Sequence, residues 1–82
     1  MIDETEVIRR ARLIEINAHP ANRETLRARY GQVWGPEELA RDFHVIGFLA
    51  PFVVVRQKSD GLKGSLEFQH SPRFYFNYKA DR

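Results

Sequence analysis

The side chains that could carry chemistry in this sequence are few and scattered. Three histidines, His19, His44 and His70, stand far apart, and none has the paired spacing that puts two imidazoles on one helix face, so no metal site is expected. The one local set with hydrolytic composition is Glu67, His70 and Ser71. A nucleophile needs a base held against it, and closeness in sequence does not supply that geometry. Ser71 directly before Pro72 is ordinary turn chemistry, and Glu67 is explained more simply by a cross-strand pair with Arg56 or Arg73. No catalytic residue and no cofactor is therefore expected.

Binding chemistry has better candidates. Gly61 and Gly64 flank Leu62 and Lys63 but lack the helix start of a phosphate loop, so they read as turn glycines. The run from Phe74 to Tyr78, bracketed by Arg73 and Lys79, has the look of a sheet that stacks bases. Strict alternation would put Phe74, Phe76 and Tyr78 in the core and leave Tyr75 outside, beside Arg56, Lys58, Arg73 and Lys79. Arg56, Lys58, Lys63, His70, Arg73 and Tyr75 are thus the candidate binding residues, and weak nucleic-acid contact through a basic outer sheet face is the alternative function they support. A helix-turn-helix over Glu24 to Tyr30 and Pro36 to Phe43 fails at its recognition element, because the next segment, VIGFLAPFVVV, offers nothing that reads a groove.

Composition narrows the classes further. The 82 residues are 43% hydrophobic and 29% charged with no cysteine, which suits one domain that must rely on its apolar core and excludes disulfides and thiolate chemistry. The net charge of +2 is small but uneven, with the basic excess after Asp42. The acidic N-terminus is unlike a secretory signal, and the longest nearly uncharged run, Val45 to Val55, is too short to span a membrane. A cytoplasmic protein without membrane contact is the expectation.

These residues must be positioned by an α+β fold: N-terminal helices packed on one face of a three- to four-stranded antiparallel meander. It forms one domain over residues 1–82, helical over about 3–43 and sheet over about 44–79. Asp3 with Glu6 signals a first helix, whose apolar stripe Val7, Ile8, Ala11, Ile14 and Ala18 should face the core before Pro20 ends it. Leu13 and Ile16 then fall on the other side, a candidate interface for a homodimer or an unknown protein partner. Asn22 and Gly31 bracket a second short helix. Gly35, Pro36 and Glu38, with Trp34 placed to staple onto Leu39, start a third that runs to about Asp42. Extended segments come next at Phe43 to Phe48, Phe52 to Lys58, Gly64 to Gln69 and Arg73 to Tyr78, the first of which could instead extend the third helix or form a connector. Turns are signalled at Ser59-Asp60-Gly61 and His70-Ser71-Pro72.

The string VWGPEELARDFHVIGF, continued by APFVVVRQKSDG and KGSLEFQHSPRFYF, resembles a family of small uncharacterised bacterial proteins. The likeness covers roughly Tyr30 to Phe76 and is most specific over KSDGLKGSLEFQHSPRFYF. It carries no activity and implies only that the segment is one coherent domain. The chain departs from the pattern at Gly35-Pro36, where a polar capping pair is more usual. The expected function is accordingly a small non-catalytic module for protein interaction or self-association.

Overall fold

A computed structural model describes residues 4–81. It contains helices α1 (Glu4–Ala18), α2 (Arg23–Tyr30) and α3 (Pro36–Asp42), then strands β1 (Phe43–Leu49), β2 (Phe52–Gln57), β3 (Lys63–Gln69) and β4 (Phe74–Ala80). Asp3, expected to cap α1, lies outside the described residues. The other caps are built as their chemistry requires. The Asn22 side chain accepts the Thr25 N–H at 2.8 Å, and Gly31, at φ 88°, closes α2 by donating its N–H to the Arg27 carbonyl at 2.9 Å. At α3 the Glu38 carboxylate takes the Gly35 N–H at 3.1 Å, and Pro36 comes next, where a missing donor costs nothing.

The four strands form one antiparallel sheet in chain order, so Phe43–Leu49 is a strand and it lies at an edge. The β2–β3 turn uses Asp60, whose carboxylate accepts the Leu62 N–H at 2.9 Å, and Gly61 at φ 72°. Residues paired across strands share a face, and the pairs Phe68↔Tyr75 and Glu67↔Phe76 therefore point to opposite sides. Two cores result. Trp34, Leu39, Phe43, Val53, Val55, Leu66, Phe68 and Tyr75 pack on one side, under α3; Ile16, Leu26, Val33 and Phe76 pack on the other, under α1 and α2. The α+β class holds, and its helices are divided between the two sheet faces.

Two features depart from simple periodicity. Ser65 pairs with Lys79 while Glu67 pairs with Phe76, so Asn77 and Tyr78 together stand opposite Leu66. This bulge, with Asn77 at φ 56°, turns Tyr78 onto the face of Tyr75, where its ring lies 5.4 Å from Phe43. Tyr75, expected on an outer face, is a core residue because Trp34 and α3 cover that face, and it is hydrogen-bonded through its backbone to Trp34 in both directions at 2.8 Å.

The second departure is the rotation of α1. Its expected stripe faces outward: Val7, Ile8 and Ile14 are 54–69% exposed, whereas Ile16 is buried and Leu13 half-buried. Leu13 and Ile16 are thus not a wet face awaiting a dimer, and Ile16 is core. Arg12 decides the orientation. It lies on the Ile16 side of the helix, and its guanidinium meets the buried Glu67 carboxylate with Nε at 2.6 Å and Nη2 at 3.0 Å. A carboxylate buried in the sheet needs that partner more than an isoleucine needs cover.

Gln69 ties the remaining pieces together. Its side chain is fully buried, accepts the Ala21 N–H at 3.1 Å, and donates to the carbonyls of Ala21 at 2.7 Å and Pro72 at 2.9 Å. Gln69→Glu would aim a carboxylate oxygen at two acceptors. A loss of about 3 kcal/mol is expected, read as a shifted urea midpoint at unchanged slope, with Gln69→Leu less damaging because it introduces no charge.

Candidate interaction surface

The open edge of the sheet is β1. Its first residue, Phe43, is buried edge-on to Trp34 at 5.4 Å, but α3 covers only that end. Beyond it Val45, Ile46, Phe48 and Leu49 are 43–56% exposed. Ile46 is an extra residue in the pairing with β2, which passes from Val45↔Val55 to Gly47↔Val54. His44 is the strand's only residue with an ionisable side chain. Edge strands of monomers are usually blunted by charge, proline, short length or a bulge; this one carries the bulge at Ile46 but runs seven residues without proline or a permanent charge. The apolar surface continues inward, since Leu49 pairs with Phe52, and Phe52 and Ile8 of α1 line one cleft.

Around the far end of β1 the chain forms an open groove of about 730 Å³, walled by Leu13, Asn17 and Pro20, by Phe48 and Ala50, and by Phe68 with the His70–Arg73 turn. The Arg12–Glu67 pair fixes its α1 wall. Burial works against the Glu67 charge, but hydrogen bonds from Arg12 and Asn77 outweigh it and hold the carboxyl below its ordinary range; Arg12 is held above its own, chiefly by its hydrogen bond to Glu67. The side-chain carbonyl of Asn17 accepts the His70 N–H at 3.0 Å, pinning the turn to the helix.

The six candidate binding residues do not converge. Arg56 and Lys63 face each other beside the β2–β3 turn, whereas His70 and Arg73 lie at the opposite end, about 20 Å along the strand. Arg56 donates to the Gly61 carbonyl at 2.7 Å within its own hairpin. Lys58 reaches the Ala40 carbonyl at 2.7 Å in the last turn of α3, a capping role. Tyr75 is buried, so the basic outer face with a stacking ring is not formed. His70 and Arg73 sit together, with Arg73 Nη2 at 3.3 Å from His70 Nδ1, and Arg73 Nη1 lies 3.4 Å from the hydroxyl of the buried Tyr75.

Glu67 and His70 are likewise kept apart. The carboxylate is committed to Arg12 and Asn77 on one sheet face, and His70 is exposed on the groove rim. Among the described residues no group of three or more His, Asp or Glu side chains gathers to hold a metal, and no helix is long and apolar enough to cross a membrane. The exposed β1 side chains are additions to the residues the sequence singles out, as are Asn17, Pro20, Ala50 and Phe68 as groove walls beside the expected Leu13, His70 and Arg73. A contiguous apolar run is visible from Val45 onward, but nothing local marks which strand lies outermost, and the groove walls come from three distant segments. No protein family, no curated protein and no solved structure matches the chain.

Proposed function

We propose that this chain is a small non-catalytic interaction module that associates through β1, with a second copy of itself as partner. The observation that carries the reading is the uncharged, apolar, seven-residue open edge. Two such edges are self-complementary under a two-fold axis, because each strand offers the backbone donors and acceptors that the other lacks. A stable interface removes roughly 800 Å² from each partner. The strand is about 23 Å long, and Leu49 with the adjoining Phe52 and Ile8 extends its apolar surface toward α1. The alternative, nucleic-acid binding, draws less support because its cations are split between the two sheet ends and its aromatic ring is in the core.

Sedimentation of the purified chain is the test. At tens of micromolar the native protein is expected to run as a dimer, and Ile46→Lys, on an exposed bulge residue, as a monomer with an unchanged circular dichroism spectrum. A native chain that stays monomeric into the high micromolar range would overturn the proposal, as would a dimer indifferent to Ile46→Lys.

A further inference from the structure

We propose that the groove bounded by α1 and the β1–β2 and β3–β4 turns binds an extended segment of a partner protein in which one acidic side chain stands beside large apolar ones. The carboxylate would sit on Arg73 and the apolar neighbours between Leu13, Phe48 and Phe68. This goes beyond association through β1, with which it shares the Phe48 side chain.

Charge and shape point the same way. The walls are mostly apolar, and among the described residues no acidic side chain lines them. Arg73 is the one permanent charge among the lining residues, and its guanidinium lies over the Phe68 ring at 4.9 Å from the centroid. Its polar partners are all neutral and long: the His70 carbonyl at 3.5 Å, His70 Nδ1 at 3.3 Å and the Tyr75 hydroxyl at 3.4 Å. Arg10, Arg12, Arg23 and Arg41 each meet a carboxylate; among the described residues none meets Arg73, nor Arg9, Arg27, Arg29 or Arg56, and of these unpaired arginines Arg73 is the one that lines the groove. Aromatic stacking and weak dipoles therefore orient the guanidinium without neutralising it, which leaves its planar fork for an incoming carboxylate. When Nδ1 accepts from Arg73, the imidazole hydrogen is on Nε2, a second donor on the same rim.

Simpler ligands fit less well. A wholly apolar segment would cover the guanidinium and strip it of water without replacing the lost hydrogen bonds. An inorganic anion would make no use of the Leu13 and Phe48 walls. A free small molecule would remain largely solvated, since the groove is open along one side, whereas an extended segment needs only one face covered.

The test uses three blocked hexapeptides titrated into the full chain by NMR: one with a glutamate between leucines, its glutamine counterpart, and one with the glutamate between serines. The first is expected to shift the amides of Asn17, Phe48 and His70, and to bind at least tenfold more tightly than the other two. Arg73→Gln should remove the advantage of glutamate over glutamine, and Phe48→Ser the advantage of leucine over serine. Equal binding of the glutamate and glutamine peptides, equal binding of the leucine and serine peptides, or no binding at all would overturn the proposal. Repeating the titration in Ile46→Lys scores the groove separately from association through β1.

Discussion

Glu67→Ala is expected to be among the most damaging single substitutions in this chain, costing about 3–4 kcal/mol, because it leaves the Arg12 guanidinium against the sheet with only the exposed Glu15 carboxylate, at 3.3 Å, as counter-charge and takes the acceptor from Asn77. Domains of this size have stabilities at the low end of roughly 5–15 kcal/mol, so a substantial unfolded fraction should be visible by circular dichroism at room temperature. Arg12 also donates to Tyr30 at 2.9 Å and lies over its ring at 5.9 Å, and Tyr30 stacks on Phe76 at 4.7 Å. Loss of the carboxylate thus reaches α2 through one chain of contacts. If charge pairing is the cause, Arg12→Met combined with Glu67→Leu should recover much of the loss, since apolar groups of similar volume need no partner. A double variant no better than Glu67→Ala would show that the packing of these side chains, and not their charge, holds α1.

The same pair sets an acid limit. The Glu67 carboxyl is held below its ordinary range in the fold, so its contribution to stability is complete above the unfolded value, near pH 4.5, and is lost as the pH falls through the lower folded value. Glu67→Gln should be less stable than the native chain at neutral pH and lose less further stability on acidification. Urea midpoints at pH 7 and pH 3 measure both quantities. A parallel loss in the two proteins would place the acid sensitivity elsewhere.

This pair also marks the boundary of what the sequence can reveal. Elements governed by local chemistry are legible in it: Asn22 and Gly31 around α2, Gly35-Pro36 with Glu38 at α3, and Asp60-Gly61 between β2 and β3 all act through neighbours a few residues away. Periodicity fails where a distant partner decides the outcome. Along α1 it favours the face of Val7 and Ile14, but Glu67, 55 residues away from Arg12, pulls the other face inward. Along β4 it fails because one inserted residue at Asn77 reverses every later side chain, and only the tolerance of asparagine for positive φ hints at such a bulge. The candidate binding residues suffer from the same limitation. Simple alternation separates Tyr75 from Phe74 and Phe76 correctly but does not show that Trp34 and α3 cover its face, and Lys58 reads as a free cation because its acceptor belongs to α3.

Gly64→Ala is the second large effect, expected at about 3 kcal/mol and a fall in melting temperature of roughly 15 °C. Gly64 lies in β3 between Val55 of β2 and Ala80 of β4. A Cβ there would lie 2.7 Å from the Lys79 carbonyl oxygen, 2.7 Å from Tyr78 Cε2 and 2.9 Å from the Tyr78 hydroxyl. Real side chains essentially never approach so closely, and backbone cannot move aside without breaking the β3–β4 pairing. The Tyr78 ring cannot yield freely either, because it packs against Trp34 and Phe43 and donates to Gln57 at 3.1 Å. The glycine is therefore the seat that lets the bulge bring Tyr78 onto the α3 face. Tyr78→Leu combined with Gly64→Ala separates the two obstructions. If the ring is the main one, the second change should restore part of the stability lost to the first; if the Lys79 carbonyl is, the losses should add. In either case the damage should concentrate at the Trp34 end of the sheet, leaving the groove amides of Asn17 and His70 at their native shifts in the folded fraction.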